Sequence, residues 1–158
     1  MKRSIKKGLS FGLTSGVITT LGMMVGLNAS TGSRIAVIGG IMAIAIADAF
    51  SDAVGIHIAE ESENRHSERE IWESTFSTFI FKFLIASTFV APVLLFDLYM
   101  AIGVSVIWGL GLIIIFSYHM ATQQGASPYK VVLEHVAIVA LVITITHHVG
   151  KWIGSFCH

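Results

Sequence analysis

Charge is scarce in this chain: Asp, Glu, Lys and Arg make up 13% of its 158 residues, against about 25% in soluble domains. The ten basic residues balance the ten acidic ones, so no net field draws the chain to nucleic acid, and that partner class is excluded. A single cysteine, Cys157, rules out an intrachain disulfide and any cysteine-cluster metal site. No nucleophile elbow, phosphate loop or zinc-protease signature occurs, so the sequence offers no enzyme site. Low-complexity segments and internal repeats are missing too, which removes the argument for an inverted repeat within one chain. What the chain has in abundance is apolar residues, 54% of the total. They come in runs long enough to cross a bilayer rather than as short strands or amphipathic stripes. The expected fold is therefore all-α, an integral membrane bundle of five transmembrane helices in a single domain over residues 1-158.

The first span runs from Gly8 to Asn28 without a charge, after Lys2, Arg3, Lys6 and Lys7. Ala29-Ser30-Thr31 resembles a signal cleavage site, but the apolar core before it is too long for a signal peptide, so the segment is expected to stay as a span. Ile35 to Ala59 forms the second span, interrupted by Asp48, Asp52 and His57, and an acidic loop over 60-75 follows. The third, Phe76 to Phe96, and the fourth, Leu98 to Tyr118, are separated by little more than Asp97 and are expected to pack as an antiparallel hairpin. A polar loop with Gly125 and Pro128 leads to the fifth, Val131 to Val149. With the N-terminus cytoplasmic, most Lys and Arg residues of the short loops fall inside, as the positive-inside rule demands. Lys82 then lies near the cytoplasmic end of the third span, where its ammonium is expected to snorkel to the interface.

Asp48 and Asp52 stand four residues apart and so share one helix face inside the membrane. A carboxylate there costs roughly 2.5 to 3.5 kcal/mol on insertion scales, tolerable only when it is protonated, solvated or neutralised by a cation. Exchange of protons and metal is the functional reading. A packed, water-filled interior with a structural role is the plain one. Gly8, Gly12 and Gly16 recur every fourth residue of the first span, beside a stripe of Ser15, Thr19, Gly22 and Gly26. Such stripes serve dimerisation or packing on a helix of the same chain. Ser15 and Thr19 add oxygen atoms that can bind a cation or water. The loop Glu60 to Glu73 holds six acidic residues, among them Glu60, Glu61 and Glu63, with His66 nearby. It would concentrate cations, or act as a solvated helix end with pairs such as Glu61 with Arg65. Glu63 and His66 form one Glu-x-x-His, and a di-iron site needs two such motifs on helices. His57 lies about 180° around the helix from Asp48 and is read as interfacial, as are His119, Glu134, His135, His147 and His148 at span ends.

Gly12-Leu13-Thr14-Ser15-Gly16-Val17-Ile18-Thr19-Thr20-Leu21-Gly22 with Val25-Gly26 resembles the first-span signature of the vacuolar iron transporter family. Ala47 to Gly55 is similar to the family's second-span pattern, Ser74 to Phe79 with Pro92 to its third span, and Ser127-Pro128 with Glu134 to the start of its fifth. The resemblance implies a homodimer, here through the Gly-rich first span, that carries ferrous iron or manganese out of the cytoplasm by proton antiport along the first two spans. The metal is then cargo rather than a resident cofactor, membrane lipid is the surrounding partner, and Asp48, Asp52, Ser15, Glu60, Glu61, Glu63 and His66 are the candidate ligands. Three departures stand out. Ser15 occupies the place of an acidic residue, Asp52 and Ile56 the places of a methionine and a glutamate, and the cytoplasmic metal-binding insert shrinks to Glu60 through Glu73. A carboxylate in place of a thioether favours harder ions. The alternatives are a non-transporting membrane scaffold or metal-sensing module and, last, a membrane di-iron oxidase. The small size suggests the cell (plasma) membrane, with a vacuolar membrane as the alternative.

Overall fold

The computed structural model describes residues 2–156, so Cys157 lies outside the described part. The chain folds into five long helices, each long and apolar enough to cross a membrane: α1 Arg3–Thr31, α2 Arg34–Ser62, α3 Glu68–Leu95, α4 Leu98–Gln124 and α5 Pro128–Phe156. Turn chemistry explains the breaks between them. Gly32 ends α1 in the left-handed conformation (φ 58°) that glycine adopts without strain, and Ser33 caps α2 by accepting the Ala36 N–H at 3.3 Å. Ser67 and Glu70 form a reciprocal capping box at the start of α3. Asp97 accepts the Met100 N–H to start α4, Gly125 ends it at φ 68°, and Pro128 opens α5, where its missing N–H costs nothing.

Two helices are irregular within their length. In α2 the backbone widens into a π turn over Ile44–Asp48 before returning to α geometry. Buried residues recur there every fourth position, at Val37, Ile41, Ala45, Ala49 and Ala53. In an unbroken α-helix that stripe would wind by about 40° per step, and the wider turn takes up part of the drift. The α-helix of α3 breaks after Thr88 and resumes at Val90, because Pro92 has no N–H for the Thr88 carbonyl and its ring crowds that position.

α1 is the centre of the bundle and meets every other helix. Its glycines fill two contact faces. Gly8, Gly12 and Gly16 lie against Ser77, Thr78, Lys82 and Ile85 of α3, while Gly22 and Gly26 lie against Val142 and Thr146 of α5. A Cβ at Gly12 would sit 2.7 Å from the Thr78 carbonyl oxygen, so only glycine allows this approach. Of the two uses open to these stripes, the structure shows packing within the chain, against α3 and α5. The core is built from Leu13, Val17, Leu21 and Met24 of α1 with Val37, Ile41, Phe89, Val93, Ile113 and Val139. Large apolar side chains such as Ile107, Ile115, Leu133 and Leu141 point outward, as lipid contact requires.

The structure corrects three expectations. The third and fourth spans do not pack as a full hairpin: α3 lies along α1 and α2, while α4 runs along α5 and α1. α4 meets the third span near the turn, after the break at Phe89, and through the Trp108 indole N–H to Thr88 Oγ1 at 3.1 Å. The break at Phe89 redirects the chain before it enters the turn. The acidic loop is also short, because α2 continues to Ser62 and α3 begins at Glu68. Ser62 is the last helical residue, with Asn64 left-handed at φ 50°, so the helix that would pair Glu61 with Arg65 has already ended.

Candidate functional site

Three ionisable side chains meet halfway along the bundle. Asp48 is at the midpoint of α2, Asp52 lies one turn later, and Lys82 is at the middle of α3. The Lys82 ammonium is completely buried, 2.5 Å from Asp48 Oδ2 and 2.5 Å from Asp52 Oδ2. It also donates to Ser15 Oγ of α1 at 2.9 Å, and Ser15 donates to Asp52 Oδ2 at 2.6 Å. The two carboxylates are held differently. Asp52 receives hydrogen bonds from both Ser15 and Lys82. Asp48 Oδ2 has the ammonium close by but outside hydrogen-bonding direction, so charge alone holds it. Asp48 keeps 33% and Asp52 20% of its side-chain surface open, on the outer side of α2.

Local backbone explains the convergence. Residues four apart in an α-helix lie on one face, and the π turn that ends at Asp48 sets that face toward α3. Gly12 and Gly16 draw α3 close to α1, which brings Lys82 within reach of Ser15. Such a cluster would not persist if any member were left alone, since an unpaired charge at this depth is costly. Two carboxylates share one ammonium, so the formal charge of the cluster is one negative unit. That surplus is the chemical character of the site: it attracts a cation or a proton.

Lys82 is the functional residue that sequence reasoning misplaced. Counted from Phe76, it lies about 9 Å into a span, within snorkelling reach, yet its ammonium is fully buried and turned to Asp48 and Asp52 of α2. A signal was present. Asp48, Asp52 and Lys82 are the charges in the central stretches of the spans, and mid-membrane charges of opposite sign pair.

An open groove of about 690 Å³ lies at the end of the bundle that holds the N-terminus, and its lining does not include Ser15, Asp48, Asp52 or Lys82. It runs between α1, α2, α4 and α5, with Ser10, Met120 and His135 on its walls and Arg3 and Lys6 at its mouth. At its inner end are Thr14, adjacent to Ser15, and Ile56, one turn beyond Asp52.

The seven candidate ligands divide into separate groups. Asp48, Asp52 and Ser15 come together. Glu60 is buried elsewhere, with Lys7 Nζ at 2.7 Å and the Ser74 hydroxyl at 2.5 Å. Glu63 meets His66 at 3.3 Å in the turn after α2, so this Glu-x-x-His lacks the helix that a di-iron site would need. Glu61 is exposed. Nearby Glu73 binds Lys2, Ser4 and Arg69, tying the start of α1 to α3. Among the described residues no group of three or more His, Cys, Asp or Glu side chains is placed to hold a metal ion. His57 sits apart from the carboxylates, bonded to Thr75 Oγ1 at 3.0 Å and edge-on to Trp72, and His135 pairs with Ser117 at 2.7 Å.

No protein-family model matches the chain, and comparison with curated proteins gives no match. The fold defines the class: an all-α, multi-pass membrane protein of five helices.

Proposed function

We propose that this protein is a divalent-cation transporter, moving ferrous iron or manganese out of the cytoplasm in exchange for protons, with Asp48, Asp52 and Ser15 as the cation's way station. The observation that carries the reading is the negatively charged cluster at mid-depth, with an open groove ending one turn away. Intramembrane acids of this kind mark ion pathways. Two carboxylates and a hydroxyl suit hard oxygen-seeking ions, in line with the resemblance to vacuolar iron transporters and its altered ligand set.

The reading includes a homodimer, formed on a different face from the one the first span suggested. Gly39, Ala43, Ala47, Ser51, Gly55 and Ala59 form an exposed small-residue stripe on α2, beside the partly open carboxylates. Carboxylates open to lipid at mid-depth are unfavourable, and a second copy on this stripe would cover them. It would also place two sets of Asp48, Asp52 and Ser15 around one ion, approaching the six oxygens a manganese or ferrous ion prefers.

Reconstituted vesicles with an imposed pH gradient test the function. The native chain should take up manganese and ferrous iron, and Asp48→Asn and Asp52→Asn should each abolish most of that flux. Folded native protein that binds manganese but moves none would instead identify a sensing or scaffold module.

A further inference from the structure

Each side chain that the transport reading assigns to the cargo already has one oxygen in contact with the Lys82 ammonium. An ammonium has three N–H donors, and Lys82 directs its charge at Asp48 Oδ2, Asp52 Oδ2 and Ser15 Oγ at 2.5, 2.5 and 2.9 Å. A metal ion coordinates such oxygens at about 2.0 to 2.6 Å. Metal and ammonium would therefore occupy nearly the same space with like charge. The lysine cannot drift far, being wholly buried and carried by a helix locked against α1. On a short tether it faces the carboxylates at an effective concentration in the millimolar range or above.

We infer that Lys82 is a resident counter-cation that competes with the cargo for Asp48 and Asp52, holding the site at low affinity and neutralising it in part while it is empty. This rests on the transport reading and adds to it a residue that sets affinity and turnover. The empty carrier is the harder half of a transport cycle, because two bare carboxylates would have to be accommodated at mid-depth. With the ammonium seated between them, one negative charge remains instead of two. The same contact means that an arriving ion binds only the fraction of molecules in which the lysine has moved aside. If that fraction is one in ten, apparent affinity is about tenfold weaker than that of the bare carboxylates.

The experiment measures manganese binding and manganese flux side by side for the native protein and Lys82→Gln in the same vesicles. Removal of the competitor should tighten manganese binding by about tenfold or more, while net flux into metal-free vesicles slows and metal-for-metal exchange persists. A merely structural lysine would not do this, since its loss would weaken binding and exchange together. Equal or weaker binding in a folded Lys82→Gln protein overturns the inference while native flux leaves the transport reading standing. Absence of manganese flux in the native protein overturns the transport reading, and this inference with it. Should Lys82→Gln fail to fold, the comparison moves to Asp48→Asn against Lys82→Gln/Asp48→Asn, which keeps the formal charge of the native cluster. The double variant should bind manganese about tenfold more tightly than the single one, and equal binding by the two refutes competition.

Discussion

Replacing Lys82 by methionine removes the one positive charge of the mid-depth cluster and leaves Asp48 and Asp52 facing each other with a formal charge of two negative units. Removing one partner from a buried ion pair costs about 3 to 5 kcal/mol. The carboxylates here keep 33% and 20% of their side-chain surface, so the expected loss lies near the lower limit, about 3 kcal/mol. The reciprocal changes should be milder, because each brings the cluster to formal neutrality. Asp52→Asn gives up the charge-assisted bonds from Ser15 and Lys82 and should cost about 1 to 2 kcal/mol after that relief. Asp48→Asn loses a contact without hydrogen-bond direction and should fall within about 1 kcal/mol of the native protein. The order Lys82→Met, Asp52→Asn, Asp48→Asn from most to least destabilised can be read by unfolding in mixed micelles of rising SDS fraction, followed by loss of helical circular dichroism. An Asp48→Asn protein as unstable as Lys82→Met, or a Lys82→Met protein within about 1 kcal/mol of native, would refute the assignment of surplus negative charge.

The same unfolding measurement separates glycines that pack from glycines that do not. Gly8→Ala places a methyl 2.7 Å from the Ser74 carbonyl oxygen and should cost about 1 to 3 kcal/mol by forcing α1 and α3 apart. Gly111→Ala, in open space on α4, should be neutral or stabilising by up to about 1 kcal/mol. For the dimer, Ser51→Cys in a Cys157→Ser background should form a disulfide-linked pair in membranes on mild oxidation. A cysteine at Ile107, on the exposed side of α4, should not, and equal cross-linking at both positions would remove the α2 stripe as the interface.

Sequence alone determined what depends on a single helix. Five apolar runs fix five spans, since each must satisfy its own backbone hydrogen bonds in lipid, and Asp97 and Gly125 mark two of the breaks between them. The pairing of Asp48 with Asp52 follows from helical period, as does the separation of His57 from them. Relations between helices were not legible, because period describes a face and does not name what lies against it. The glycine stripes of the first span announced close contact, yet only the packed structure names α3 and α5 as what lies against them. The short turn at Asp97 made a hairpin look obligatory, until the break at Phe89 redirected the chain. Lys82 shows the difference most clearly. Its sequence neighbours placed it near an interface, and the tertiary structure set it between two aspartates from another helix, because a mid-membrane charge is stable only where packing supplies its partner.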